Sequence, residues 1–115
     1  MKRGEIYWAD LTPRSGSEQK RRRPVIIMSH DGFNLTPGWR SIIVVPISTS
    51  IPQARRGPTV VQLPKGAGEL EKASIALCHQ VTTLDRAKLT QLLGTLPQDL
   101  LKQVEGALKA ALDLQ

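Results

Sequence analysis

Four consecutive cations, Lys20-Arg21-Arg22-Arg23, end directly against Pro24 and the apolar stretch Val25-Ile26-Ile27-Met28-Ser29. A charge run of this kind reads either as a solvated loop or as an anion site. Two features favour the anion site. Arg23 enters a buried strand, so a rigid element holds it. Arg14, Arg40, Arg55 and Arg56 add guanidinium groups in other loops of the same half. Clustered guanidinium groups grip phosphate in bidentate fashion, which makes nucleic acid the leading partner class. Trp39, between Gly38 and Arg40, is the candidate for stacking on an unpaired base, or else it covers the edge of the core. His30 and His79 could form an acid–base pair, although histidines at strand ends are more often simply hydrogen-bonded. Cys78 reads as core, having no obvious base beside it. Lys65-Gly66-Ala67-Gly68 lacks the Gly-Lys-Ser/Thr ending of a phosphate loop and reads as a turn.

Composition narrows the classes. The 115 residues are 40% hydrophobic and 23% charged, enough apolar content for a core in one domain spanning residues 1–115. The net charge is +6, and residues 1–57 hold ten basic and four acidic side chains, so all of the excess lies there. That predicts one electropositive face, with the neutral second half serving as scaffold. Apolar runs such as Ile42–Ile47 are too short to span a bilayer. No signal-peptide pattern is present, and one cysteine can form neither an internal disulfide nor a CxxC metal site. The expectation is a reduced, cytoplasmic domain with no metal and no cofactor.

The elements that must position these residues follow from pattern. Glu5–Leu11 reads as a strand, and so do Val25–Ser29, apolar on both faces, and Ser41–Ile47. Pro46 suggests a sheet edge or bulge. Tyr7 and Trp8 point to opposite faces of the first strand, placing one of them in the core. Thr59–Leu63 and Ser74–Val81 fit further strands, with a Gly-rich turn at Pro64–Gly68 between them. Asp85 can cap a short helix over Arg86–Leu89, and Leu92–Leu96 fits strand and coil equally. Pro97-Gln98-Asp99 starts a helix in which Leu100, Val104, Leu108 and Leu112, flanked by Leu101 and Ala111, form an apolar stripe. Strands first and helix last predict an α+β domain, a small curled antiparallel sheet or barrel with short helices and a C-terminal amphipathic helix.

Five motifs, in order, become specific together: Met1-Lys2-Arg3-Gly4-Glu5-Ile6-Tyr7-Trp8-Ala9-Asp10-Leu11, Gly16-Ser17-Glu18-Gln19, Arg23-Pro24-Val25-Ile26-Ile27, Pro46-Ile47-Ser48-Thr49, and Leu77-Cys78-His79-Gln80-Val81-Thr82-Thr83-Leu84-Asp85. Over nearly the whole chain this resembles the MazF/PemK family of toxin endoribonucleases. The resemblance implies an SH3-like β-barrel, usually a homodimer, that cleaves single-stranded mRNA at short sequences without a metal. It implies growth inhibition relieved by a MazE-like antitoxin, with which such toxins also bind DNA. The family's catalytic arginine falls on Arg23. Its threonine partner falls on Ser48, with Thr49 next. Glu18 matches a position implicated in the site or its loop, and no family role transfers to His79.

Attack of a ribose 2′-OH on its own phosphate needs a base, an acid for the leaving 5′-oxygen, and donors for the phosphorane oxygens. Arg23 can supply two donors, worth about 3–4 kcal/mol by analogy with oxyanion-hole donors. A guanidinium is a poor base, because its pKa exceeds about 12. Ser48 or Thr49 would bind the same phosphate, Glu18 would act as base or orient Arg23, and Lys20, Arg21, Arg22, Arg55 and Arg56 would guide the RNA backbone. The implied products are a 2′,3′-cyclic phosphate, or the 3′-phosphate from its opening, and a 5′-OH. Two other readings stand beside this one. One is a non-enzymatic toxin on the same barrel acting on DNA gyrase, as CcdB toxins do. The other is a catalytically weak RNA-binding module.

Overall fold

A computed structural model describes residues 1–11, 22–49 and 57–115 of the chain. Seven antiparallel strands form a curled, open sheet: β1 (Glu5–Asp10), β2 (Arg22–Ile27), β3 (Ser41–Ser48), β4 (Val60–Leu63), β5 (Ser74–Leu77), β6 (Thr82–Asp85) and β7 (Leu89–Thr95). They pair in the order β4-β5-β3-β2-β1-β7, and β6 adds to β3. A single turn of helix, α1 (Asp31–Asn34), follows β2, and the long helix α2 (Gln98–Leu112) ends the fold. The α+β class and the curled antiparallel sheet are therefore as the sequence predicts.

The continuous apolar run in β2 has a direct cause, because each face of this strand meets a different core. Ile26 joins Ile6, Val45, Ile47, Leu63 and Ala76 beneath α2, while Val25 and Ile27 join Ala9, Ile42, Val44 and Leu89 on the reverse face. Each fully buried aliphatic side chain contributes about 1.5–3 kcal/mol. The helix presents Leu100, Leu101, Val104 and Ala107 to the first core. The expected stripe is thus shortened at its C-terminal end: Leu108 is only half-buried and Leu112 is 53% exposed.

The second half departs from the predicted strands for one reason. β3 pairs with β6 through Ser41–Val44 and with β5 through Ile47 and Ser48. Pro46, which has no N–H to donate, lies where the partner changes. Pro46 is therefore inside the sheet rather than at an edge, and it also pairs with Val25 of β2. The chain facing that break cannot continue as strand. Cys78–Gln80 turns as a 3₁₀ segment, so the predicted strand Ser74–Val81 stops at Leu77 and a new strand begins at Thr82. Leu92–Thr95 resolves as part of strand β7, and Leu96 follows it into the core. Asp85 caps the 3₁₀ turn Arg86–Lys88 by accepting from the Ala87 N–H at 2.8 Å.

The curl brings the β4–β5 connection onto β7. Gly68 is buried with φ +55°, and its carbonyl lies where a Cβ at position 94 would be, so Gly94 permits the contact. A Cβ at Gly68 would in turn collide with the Ile6 side chain.

Candidate active site

Strand register sorts the residues at one end of the sheet. β1 pairs with β2 so that Trp8 faces Pro24, Ala9 faces Arg23 and Asp10 faces Arg22. β2 pairs with β3 through Val25↔Pro46. Carrying that register two residues further puts Arg23 level with Ser48, the last residue of β3. Side chains alternate faces along a strand. Arg23 and Ser48 therefore share the face of Val25 and Ala9. Trp8, Arg22, Pro24 and Ile47 share the opposite face, that of Ile26. Arg23 and Ser48 are both half-buried, whereas Thr49 is exposed just beyond the strand.

A cleft of about 390 Å³ opens at these strand ends. One wall is Trp8 with Arg22, Arg23 and Pro24, and a second is Ile47, Ser48 and Thr49. Leu70, Glu71, Lys72 and Ser74 of the β4–β5 connection, with Leu93 of β7, complete it. The structure thus unites four residues expected to bind or transform RNA, Arg22, Arg23, Ser48 and Thr49. The Arg22 guanidinium carbon lies 4.8 Å from the centroid of the Trp8 ring, and its Nη2 donates to Gln91 Oε1 at 2.9 Å. Neither Tyr7 nor Trp8 is fully in the core. Tyr7 is half-buried against the reverse-face cluster, where loss of solvent raises the pKa of its phenol, with Glu5 adding to the effect.

The second half is more than scaffold, since five cleft residues belong to it. Glu71 and Lys72 carried no signal beyond being charged residues after a turn, because only the curl of the sheet brings them to Arg23. Gln91 was equally silent, in a strand whose polar and apolar residues follow no simple period.

Other expected residues lie elsewhere. Trp39 is not in the cleft: its ring packs on Phe33 with centroids 4.8 Å apart, and its Nε1 donates to the Ser41 carbonyl at 2.7 Å. Arg40 pairs with Asp85 at 2.7 Å, which holds that carboxyl below its ordinary range together with the Ala87 N–H. Arg40 is thereby a local partner and adds nothing to the cleft. His30 caps α1 by accepting from Gly32 N–H at 2.7 Å, and His79 is exposed in the Cys78–Gln80 turn; neither lines the cleft. Cys78 is buried, its sulfur 3.8 Å from the Val104 carbonyl, and burial pushes its thiol up to about 11. Among the described residues no group of three or more His, Cys, Asp or Glu could hold a metal ion. No described helix is long and apolar enough to cross a membrane. Glu18, Lys20, Arg21, Arg55 and Arg56 lie outside the described residues, as does Arg14.

A curled basic sheet with an arginine and a hydroxyl level on adjacent strands, packed under one C-terminal helix, defines a narrow class. The pattern of the PemK-like, MazF-like toxins of type II toxin–antitoxin systems matches residues 2–112, and the chain belongs to that family. It is 38% identical over 115 residues to the endoribonuclease MazF of Staphylococcus saprophyticus, covering 99% of this chain and 92% of that protein. It is 33% identical over 114 residues to the endoribonuclease MazF2 of Mycobacterium bovis, covering 99% and 98%. Its fold matches a MazE–MazF crystal structure from Deinococcus radiodurans at TM-score 0.81 and 28% identity, covering 100% of this chain and 97% of that one.

Proposed function

We propose that this toxin is an endoribonuclease that cleaves single-stranded mRNA by attack of the ribose 2′-OH on the adjacent phosphate. The observation that carries the reading is the register that sets Arg23 level with Ser48 on one face at the mouth of the cleft. Arg23 donates to the oxygens that gain charge in the phosphorane, and the Ser48 hydroxyl binds the same group. Thr49 follows on the exposed side and contacts the flanking backbone. Ser48 stands at the family's threonine position; it keeps the hydroxyl and lacks the methyl that stiffens the threonine rotamer.

Glu18 orients Arg23 or takes the 2′-OH proton, while Lys20, Arg21, Arg55 and Arg56 draw in the RNA backbone. The reaction needs no metal and leaves a 2′,3′-cyclic phosphate, or the 3′-phosphate from its opening, and a 5′-OH. In this reading the chain, as one domain, works as a cytoplasmic homodimer and is neutralised by a MazE-like antitoxin; relatives of this fold are seen as MazE–MazF complexes. The test is incubation of the purified protein with mixed-sequence single-stranded RNA in EDTA. Cleavage that leaves 5′-OH ends and disappears in Arg23→Ala, with an unchanged melting curve, is the expected result. Intact RNA with the wild-type protein would falsify the reading.

A further inference from the structure

The arginine beside Arg23 is held in a way that guiding a phosphate backbone does not require. A guide needs only positive charge, and a mobile lysine serves as well. Arg22 is instead fixed at two points, over the Trp8 ring at 4.8 Å and through Nη2 to Gln91 at 2.9 Å. The strands enforce this arrangement. Trp8 faces Gln91 across β1–β7 and Pro24 across β1–β2, so Arg22, two residues before Pro24, falls diagonally over the ring on the same face. Both of these contacts are neutral, and Asp10 stands opposite Arg22 across β1–β2. The two ion pairs among the described residues use Arg3 and Arg40 instead.

The rest of the cleft suits a planar, uncharged group. Pro24, Ile47, Leu70 and Leu93 give it apolar walls, which accept the faces of a nucleobase. Glu71 and Lys72 line the same cleft, and the Glu71 carboxylate accepts N–H groups. A fixed donor fork and an acceptor-only carboxylate at one apolar cleft constitute a base-reading set. Guanine alone among the four bases offers two acceptors, O6 and N7, on one edge and two adjacent donors, N1–H and N2–H, on another. Adenine sets a donor against the fork beside N7, and the pyrimidines cannot give two bonds to each partner.

We propose that this cleft is a base subsite selecting guanine at one fixed position of the cleaved RNA, with Arg22 reading O6 and N7 and Glu71 reading N1–H and N2–H. Trp8 and Gln91 act as positioning residues through Arg22. The proposal rests on the nuclease reading above for its place beside the scissile phosphate, while the base preference itself can be measured without cleavage.

Binding is read by fluorescence anisotropy with end-labelled 2′-fluoro oligonucleotides, (UUG)₄ and (UUA)₄, which offer no 2′-OH to attack. The wild-type protein is expected to prefer the guanine repeat by about tenfold or more, the discrimination of one good bidentate pair. Arg22→Lys keeps the charge, removes the fork, and is expected to erase that preference; Glu71→Gln is expected to reduce it. Sequencing the 5′ ends of cleaved mixed-sequence RNA should show guanine at one fixed position for the wild type and relaxation there in Arg22→Lys. Equal wild-type affinities for the two repeats overturn the proposal. An Arg22→Lys variant that weakens both repeats alike also overturns it, making Arg22 a backbone guide. A guanine preference that depends on Arg22 in a protein that cuts no RNA sustains this proposal and defeats the nuclease reading alone.

Discussion

The arginines at the two ends of the sheet are employed in opposite ways. At the α1 end they are struts. Arg86 donates to the carbonyls of Trp39 at 2.8 Å and Asn34 at 2.6 Å, Arg40 pairs with Asp85, and Arg3 pairs with Glu105 at 2.6 Å. At the cleft end Arg22 leans on a neutral ring and a neutral amide, and Arg23 belongs to neither of the described ion pairs. One end ties its guanidinium groups into the fold through carbonyls and carboxylates, and the other holds Arg22 by neutral groups at a cleft. The positive excess of the first half is therefore less evenly useful than its count suggests, since Arg3, Arg40 and their acidic partners cancel locally.

Exchanging the two roles by mutation should break this contrast if it is wrong. The largest effect is expected at Arg23. Its replacement by alanine should cut RNA cleavage by about 10²–10³-fold, as for loss of one oxyanion donor, with Tm unchanged. A fall in Tm matching that of the strut variants would erase the distinction between the ends. Arg86→Ala should do the reverse, costing about 1–3 kcal/mol in urea unfolding by stripping a charged donor from two carbonyls, while the folded fraction retains cleavage.

A smaller effect is expected from Asp31, whose carboxyl accepts from the Arg3 N–H at 2.7 Å and from Asn34 at 3.1 Å. These bonds, the backbone one foremost, hold its pKa below the ordinary carboxylate value. A depressed folded pKa contributes stability that is present above pH 3.8 and lost as pH falls through the folded value. Asp31→Asn should flatten the acid limb of the stability curve below pH 4, and an unaltered limb would remove Asp31 from the strut set. The smallest change belongs to Arg40→Ala, because both partners of that ion pair are well exposed. Its Tm shift should fall below that of Arg86→Ala and vanish in high salt. A salt-independent loss would show that Arg40 does more than pair with Asp85.

What could be read from the sequence divides along physical lines. Strands β1 to β3 and the start of α2 at Pro97 were legible because local signals agree there: β-branched runs, a proline before β2, and proline with an acid opening the helix. β6, with the polar sequence Thr82-Thr83-Leu84-Asp85, was missed because it is a largely exposed edge with no apolar period. Cys78 misled in the other direction, because a residue buried beneath α2 in a turn looks like a residue in a strand. The same divide runs through the site. Arg23 and Ser48 announce themselves in motifs, whereas Trp8, Gln91, Glu71 and Lys72 meet only through pairing and curl. Trp39 has the composition of a stacking residue, but it packs on Phe33 and bonds the Ser41 carbonyl away from the cleft.

Pro46 carries no functional group, yet the partner change it marks reaches into the site. Ser48 is registered on Ile75 of β5, and Arg23 on Ala9 of β1. The hydroxyl and the guanidinium therefore ride on strands held by different neighbours, joined along β3. The helix α2 bears on β4 and on the Cys78–Gln80 turn, which flank β5, so its packing supports the strand on which Ser48 is registered.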